Sequence, residues 1–343
     1  MECQICVIFV NMSGTYPRRI EHGGRLRWHR RHSRENILDF SASINPFPPH
    51  VPFSPPEEAI ASYPDDGYET LKEAIGQVFH RDPAEITVGN GSVEVIRAFC
   101  VAAIRPGESG AIRPPTFGEY EMAVRLCGGR VTGDAAGAAV RFLCNPNNPD
   151  GALTAREAVL AILDTLEPGQ RLFIDEAFIE LADPTASVSD VRDPALFVSR
   201  SITKSFAVPG IRFGFGFGDP DLVAEIEARR LPWTVNAYAE SFALAALDRY
   251  ADLGESRRLI EIERAWLAGR LRDLGLSPLP STANYILVPL PCPADGLTER
   301  LLLSYGILVR DCTSFGLPGM IRVAVRRRDE NMRLVEALAA CLP

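Results

Sequence analysis

Lysine is nearly absent from this chain. Of its 36 lysines and arginines, only Lys72 and Lys204 are lysines, so arginine carries almost all of the positive charge. Acidic residues number 44, and the formal net charge of −8 argues against broad binding to nucleic acids or anionic membranes. No histidine follows His80, which excludes a later histidine as the base of a serine–histidine–aspartate triad. Long apolar runs are also missing, since none approaches the ~20 residues that a membrane span needs.

The eight cysteines are scattered along the chain. Cys3 and Cys6 form a lone Cys-x-x-Cys pair without the second pair of a zinc site, so we predict no metal and reduced thiols, as is usual in the cytoplasm. The apolar stretch 5–10 is too short for a signal-peptide core and lacks a basic leader. We expect residues 1–20 to form an N-terminal arm, either disordered or an over-extended start with Met12 as the alternative beginning.

A length of 343 residues is enough for about two domains. Between residues 67 and 230, short apolar runs alternate with amphipathic helical patterns. Strands are predicted at Ile86–Val88, Gly110–Ile112, Val140–Cys144, Leu172–Ile174, Leu196–Val198 and Ile211–Phe217. This alternation is typical of an α/β fold in which helices cover both faces of a mostly parallel sheet. In such sheets ligands bind at the carboxyl ends of the strands.

The pattern changes towards the C-terminus. From Tyr238 to Leu274 it is helical without interruption, and residues 283–343 then read as a smaller α+β unit. Seven prolines make residues 45–65 a stiff, extended connection. We predict an N-terminal segment over 21–55 that packs with the small domain, a large domain over 56–237, and an interdomain helix with the small domain over 238–343.

The two lysines receive different interpretations. Lys204 lies between two apolar strand-like runs, where a hydrated ammonium group is costly unless it is used. Arginine cannot replace lysine where a deprotonated amine must form a Schiff base or transfer a proton. Lys72 falls on the polar side of a predicted helix over 67–79, and we expect it to be a solvated surface residue.

Three loops that follow predicted strands carry further chemistry. The run Gly-Asn-Gly-Ser-Val-Glu at 89–94 leads into a helix and offers bare amides to a phosphate, although Ser92 could equally be a helix cap. The turn 145–151 contains Asn148. Asp175 ends an apolar strand, and a buried carboxylate needs a cationic or hydrogen-bonding partner. A phosphate site, a strand-end aspartate and a sequestered lysine are together what pyridoxal phosphate requires.

On these residues the sequence resembles the fold-type I, aspartate-aminotransferase-like enzymes from about residue 22 to the C-terminus. The resemblance implies a large domain with a mostly parallel seven-stranded sheet between helices and a smaller α+β C-terminal domain. It implies that Lys204 forms the covalent link to pyridoxal phosphate, that Asp175 keeps the ring nitrogen protonated and that Asn148 binds the ring 3-oxygen. Phe117 would stack on the ring. The residues implied around the phosphate are Gly91, Ser92, Val93, Ser201 and Arg212.

The resemblance also implies a homodimer with shared sites, because Tyr63 is similar to the family's tyrosine that reaches the phosphate of the neighbouring subunit. One residue departs from the pattern. Most relatives carry tyrosine after Asp-x-Ala, whereas this chain has Phe178, so one hydrogen bond to the 3-oxygen is lost.

Five short motifs resemble the threonine-phosphate decarboxylases of cobalamin biosynthesis more narrowly. They begin at residues 22, 39, 175, 232 and 310 and read His-Gly-Gly, Asp-Phe-Ser-Ala-Ser-Ile-Asn-Pro, Asp-Glu-Ala-Phe, Pro-Trp-Thr-Val-Asn and Arg-Asp-Cys-Thr-Ser-Phe-Gly-Leu. That family converts L-threonine O-3-phosphate into (R)-1-amino-2-propanol O-2-phosphate and carbon dioxide. Arg322 matches its carboxylate-binding arginine. Arg310, Asn45 and His22 are the candidates for the phosphate end of the substrate.

Three alternatives stay open at this point. A histidinol-phosphate-type aminotransferase shares every cofactor residue, and Phe178 with the stretch 310–317 favours the decarboxylase over it. Ser201-x-x-Lys204 has the spacing of penicillin-binding serine acyltransferases, but the Lys-Thr-Gly motif that these need is missing. A binding module on the same fold is disfavoured by the presence of both Lys204 and Asp175. The glycines of Gly214-x-Gly216-x-Gly218 lack dinucleotide-site spacing and are predicted to ease backbone packing.

Overall fold

The computed structural model describes residues 20, 22–24, 26–32, 36–55 and 57–342. Nearly all of the predicted N-terminal arm, with Cys3, Cys6 and Met12, therefore lies outside the described residues.

The strands of the described residues form three sheets. In chain order the strands are Leu38–Asp39 (β1), Ile86–Gly89 (β2), Ser109–Ala111 (β3), Arg130–Thr132 (β4), Val140–Cys144 (β5), Arg171–Asp175 (β6), Leu196–Ser201 (β7), Gly214–Phe217 (β8), Tyr285–Pro289 (β9), Ile307–Leu308 (β10), Arg310–Asp311 (β11) and Met320–Ala324 (β12). The large sheet has seven strands in the order β2-β8-β7-β6-β5-β3-β4. All its neighbours pair in parallel except β8, which is antiparallel to both β2 and β7.

The α-helices of the described residues lie between and after these strands. They are Leu26–His32 (α1), Glu58–Ala61 (α2), Glu69–Phe79 (α3), Ser92–Ala103 (α4), Glu119–Leu126 (α5), Arg156–Asp164 (α6), Ile202–Ser205 (α7), Pro220–Glu227 (α8), Ala237–Leu247 (α9), Leu253–Asp273 (α10), Ala294–Tyr305 (α11) and Arg328–Cys341 (α12). None of the described helices is long and apolar enough to cross a bilayer.

Successive side chains of the central strands point to opposite faces of the large sheet, so a hydrophobic core forms on each face. In β6, Leu172 and Ile174 pack into one core, whereas Phe173 packs into the other. β7 repeats the pattern, because Val198 joins the first core and Phe197 the second. The second core is rich in aromatic rings, and Asp175, two residues after Phe173, lies on that face.

The small domain is built on the antiparallel sheet β11-β12-β9. Its core includes Ile260 and Leu267 of α10 and Leu334 of α12. The N-terminal strand β1 pairs in parallel with β10, and Phe40 is buried in the same core. The N-terminal segment therefore packs against the small domain before the chain enters the large one.

Two features of the helices and strands differ from the sequence predictions. The strand β4 was not predicted, because Arg130–Thr132 is an edge strand with a single strongly apolar residue. The uninterrupted helix predicted over 238–274 is divided into α9 and α10 by a short 3₁₀ turn at Tyr250–Asp252. Helical periodicity continues through such a turn, so the pattern does not reveal it.

The prediction that Lys72 is solvated is wrong. Its side chain is 12% exposed and its Nζ lies 2.8 Å from Glu227 Oε2. Glu227 also pairs with Arg230. The polar side of α3 faces α8 here rather than water, which helical periodicity alone cannot distinguish.

The glycines of β8 permit close packing. A Cβ atom at Gly216 would collide with the ring of Phe197, and one at Gly218 would lie 2.9 Å from the same ring. These positions serve strand packing, in agreement with the prediction.

Candidate active site

Lys204 lies at the carboxyl end of β7, on the one-turn helix α7. Ser201 Oγ caps that turn by accepting from the Thr203 amide at 3.2 Å. Burial lowers the pKa of Lys204 to about 8, and the nearby positive charges of Arg322 and Arg212 act in the same direction. In the described part of the chain no carboxylate forms an ion pair with the amine. A lysine with this pKa is partly deprotonated near neutral pH, as an attacking amine must be.

Asn45 fixes the backbone of the lysine turn. Its backbone N–H donates to Lys204 O at 3.0 Å. In its side chain, Nδ2 donates to Ser205 O at 2.7 Å and Oδ1 accepts from the backbone N–H of Phe47 at 2.8 Å. The side chain that we predicted for substrate binding is thus engaged in holding Lys204.

Asp175 ends β6 with 3% of its surface exposed. Its Oδ2 accepts from the hydroxyl of Tyr120 at 2.7 Å and its Oδ1 from the Ala177 amide at 3.0 Å. Burial raises the pKa of Asp175, and these two hydrogen bonds oppose the rise. Both donors are neutral, so the carboxylate lacks a cationic partner among the described residues.

A candidate anion site lies where β2 ends and α4 begins. Gly91 has φ +84° and precedes the first residue of α4, Ser92. The register places Gly214 opposite both Gly89 and Ser201, and a Cβ atom at Gly214 would collide with the Gly91–Ser92 peptide. Only glycine allows this approach of β8 to the helix N-terminus, where free amides favour a negative charge.

The guanidinium of Arg212 lies over the same turn. A Cβ atom at Gly91 would collide with Arg212 Nη2, and Arg212 itself has φ +63°. The residues predicted around a phosphate thus lie close together. Gly214 of β8 packs against the Gly91–Ser92 peptide and is paired with Ser201, and Arg212 lies over the same turn. Val93 follows Ser92 in the first turn of α4.

Arg322 of β12 brings the small domain to the site. Its Nη1 donates to Asn148 Oδ1 and its Nη2 donates to Ser41 O at 2.9 Å. The guanidinium also packs over the ring of Tyr285, 5.0 Å from the ring centroid. Burial lowers the pKa of Arg322, and no ion pair to a carboxylate is found for it among the described residues. A buried guanidinium of this kind is suited to a carboxylate ligand.

Arg310 is the cross-strand neighbour of Arg322 in the β11–β12 pair. Its Nη2 donates to Ser314 Oγ at 2.6 Å and its guanidinium lies 5.4 Å from the ring centroid of Phe315. Two arginines are therefore adjacent across the β11–β12 pair of the small sheet.

His22 and Phe117 contact each other. Their ring centroids are 5.8 Å apart, and His22 Nε2 lies 2.8 Å from Glu119 Oε1. Arg97 donates to the other oxygen of Glu119 at 3.0 Å. The hydrogen bonds from His22 and Arg97 lower the pKa of this buried carboxyl.

Tyr63 lies on the surface, with 78% of its area exposed. Its ring stacks on that of Trp233 with centroids 4.4 Å apart. Phe178 is buried and packs edge-on against Tyr285 with centroids 5.1 Å apart.

Tyr120 and Tyr285 also contact candidate site residues, although the sequence alone assigned neither of them a role. Tyr285 donates to Asn147 O at 2.8 Å and supports Arg322. Tyr120 follows Phe117 by three residues, a spacing that places two side chains on one helical face. That spacing is the signal in the sequence that could have drawn attention to Tyr120. No comparable signal marks Tyr285, because it lies in a buried strand like many other residues of the chain.

The arrangement fits pyridoxal phosphate on grounds internal to this chain. Lys204 supplies a largely buried amine. Asp175 supplies a buried carboxylate that has no cationic partner among the described residues. The Gly91–Ser92 turn and Arg212 offer amides and a positive charge, so an aldehyde, a protonated ring nitrogen and a phosphate would suit these three places in turn.

Comparisons with known proteins agree with this geometry. The family model "Aminotransferase class I and II" matches residues 57–338. A histidinol-phosphate aminotransferase of Symbiobacterium thermophilum is 33% identical over 301 residues, covering 82% of this chain and 83% of that protein. A putative threonine-phosphate decarboxylase of Caldanaerobacter subterraneus subsp. tengcongensis is 34% identical over 353 residues, covering 93% of each.

Among solved structures, the histidinol-phosphate aminotransferase from Clostridium acetobutylicum superposes with a TM-score of 0.79 at 28% identity, covering 89% of this chain and 98% of that one. The predicted fold class is confirmed by this match. The chain belongs to the aminotransferase class I and II family, and the predicted cofactor, pyridoxal phosphate, is thereby confirmed as well.

Proposed function

We propose that this protein decarboxylates L-threonine O-3-phosphate to (R)-1-amino-2-propanol O-2-phosphate and carbon dioxide, as a cytoplasmic step of cobalamin biosynthesis. The observation that carries the proposal is the cross-strand pair of Arg322 and Arg310. Two adjacent guanidinium groups suit a substrate with two anionic ends, a carboxylate and a phosphate.

The residues that would hold the cofactor are Lys204, Asp175, Asn148, Phe117, Gly91, Ser92, Val93, Ser201, Arg212 and, from a second subunit, Tyr63. When bound, pyridoxal phosphate withdraws electrons from the bond at the substrate Cα that lies perpendicular to its ring.

The chain's own residues would then select which bond reacts. Arg322 would bind the substrate carboxylate and hold it out of the ring plane, so that carbon dioxide leaves. Arg310, with His22 as the weaker candidate, would bind the phosphate end. The side chain of Asn45, the third predicted candidate, instead holds the lysine turn. Lys204 Nζ would deliver a proton to Cα, a role that suits a pKa of about 8.

Transamination of histidinol phosphate is the second candidate. It is favoured by the similarity to histidinol-phosphate aminotransferases in both sequence and structure, and it would use the same cofactor residues. Two features support the decarboxylase instead, namely Phe178 where most relatives carry tyrosine and the motif over 310–317.

Incubation of the holoenzyme with L-threonine O-3-phosphate separates the two reactions. We expect release of carbon dioxide and accumulation of the amino alcohol phosphate without any keto-acid acceptor. The Arg322→Lys variant should lower kcat/KM by about 10- to 100-fold, because lysine cannot form the bidentate contact. Turnover that requires 2-oxoglutarate and histidinol phosphate, with no carbon dioxide, would support the aminotransferase and refute the proposal.

Reconstitution of the cofactor-free protein tests the state of Lys204. Only the neutral amine attacks an aldehyde, so the rate of covalent binding of pyridoxal phosphate should rise with pH and level off above the amine's pKa. We expect a midpoint at about 8, against the ordinary value of 10.5. Stopped-flow absorbance measures the rate. A midpoint near 10 would contradict the burial of this amine, and the Lys204→Ala variant, which keeps Lys72, serves as the control for covalent binding.

Mixing two inactive variants tests the shared site. In a dimer whose sites combine Lys204 of one subunit with Tyr63 of the other, Tyr63→Ala and Lys204→Ala subunits should together form one intact site per hybrid. We expect activity to appear after the two variants are unfolded and refolded together, and to be absent when each is refolded alone. No recovery in verified hybrid dimers would show that each site is complete within one chain.

A further inference from the structure

Tyr120 contacts two of the candidate cofactor residues, Asp175 and Phe117. Its side chain is completely buried. Its hydroxyl donates to Asp175 Oδ2 at 2.7 Å. In the described residues the remaining hydrogen bond to this carboxylate comes from the Ala177 amide, at Oδ1. Tyr120 is therefore the side chain through which the protein acts directly on Asp175.

Aromatic packing fixes the position of this hydroxyl. The Tyr120 ring stacks on Phe142 at 5.5 Å with an interplanar angle of 19°, and it meets Phe117 edge-on at 5.6 Å and 82°. Phe173 closes a further side at 6.2 Å. One ring thus contacts both the nitrogen partner and the stacking side chain of the predicted cofactor site.

Near neutral pH the hydroxyl of Tyr120 is protonated and can donate, because an ordinary tyrosine titrates near 10. Burial, and then the charge of Asp175, hold the pKa of Tyr120 well above its ordinary value. Among the described residues, the other titratable groups near Asp175 are Cys144, Tyr285 and Glu176, and none of them is a cation. Cys144 is its cross-strand neighbour and its thiol pKa is raised by burial, while Glu176 follows it in the chain with its own partners in Arg200 and Ser187.

We propose that Tyr120 is a positioning residue that holds the Asp175 carboxylate ionised and directed at the ring nitrogen of pyridoxal phosphate, while its ring sets the tilt of Phe117. The inference rests on the cofactor site and not on which reaction follows, so decarboxylation and transamination would depend on Tyr120 alike.

The electrostatic reason is the cost of an isolated buried carboxylate. Without the hydroxyl, Asp175 would keep one neutral donor, and burial would favour its protonated form. A protonated Asp175 cannot pair with a protonated ring nitrogen. Removal of the hydroxyl should therefore weaken cofactor binding and lower kcat, with little change in the KM for the amino-acid substrate.

The variant Tyr120→Phe removes this one hydroxyl and keeps the ring. We expect the Kd for pyridoxal phosphate to rise about tenfold, the loss typical of one hydrogen bond to a charged group. The pH at which the visible absorbance band of the bound cofactor changes should also differ between this variant and the wild type. Equilibrium dialysis of pyridoxal phosphate and absorbance titration of the holoenzyme supply these readouts.

Tyr68→Phe is the matched control. Tyr68 is also completely buried, and its hydroxyl donates to Val235 O at 3.0 Å and accepts from the Val235 amide at 2.9 Å. This variant should lose thermal stability while its cofactor Kd and absorbance titration stay as in the wild type. Equal changes in both variants would mean that Tyr120 acts by general packing only, and would overturn the proposal.

A double variant tests whether the effect passes through Asp175. In the Asp175→Asn background, Tyr120→Phe should change the cofactor Kd much less than it does in the wild type, because the charge that the hydroxyl stabilises is already gone. A full tenfold loss in both backgrounds would refute the proposal. Since dialysis measures cofactor binding without turnover, this result is independent of whether the protein proves to be a decarboxylase.

Discussion

The candidate site is built on three ionisable groups that are buried or largely buried and have no partner of opposite charge among the described residues. Asp175 has two neutral donors, Lys204 has no carboxylate partner in the described residues, and Arg322 donates to an amide oxygen and a carbonyl. Burial shifts the pKa of each group towards its neutral form. Burying such groups without partners costs free energy. The cofactor and the substrate would supply the missing partners.

Sheet topology explains how these groups meet. Asp175 ends β6 and Lys204 follows β7, and these strands are parallel neighbours. β8 runs in the opposite direction, so its first residue, Gly214, lies at the same edge and joins Ser201 to the end of β2. The small domain adds Arg322, while Asn45 connects the N-terminal segment to the lysine turn. Arg322 and Lys204 are thus linked through the segment that contains Ser41 and Asn45.

The sequence predicted the central strands of the large sheet, because these depend on local patterns of apolar residues. Alternating apolar runs located the central strands, and the rarity of lysine drew attention to Lys204. Contacts between distant segments could not be predicted in the same way. Neither the pairing of Lys72 with Glu227 nor the hydrogen bond from Tyr120 to Asp175 has a local signature, since each joins residues at least 55 positions apart. The engagement of Asn45 with the lysine turn likewise appears only after folding.

Two lysines in the whole chain make the central claim unusually direct to test. Reduction of the holoenzyme with borohydride should fix the cofactor to its attachment site, and peptide mass spectrometry then reads which lysine carries it. The account predicts a pyridoxyl-phosphate adduct on Lys204 and an unmodified Lys72. An adduct on Lys72, or cofactor that reduction leaves unattached, would contradict it.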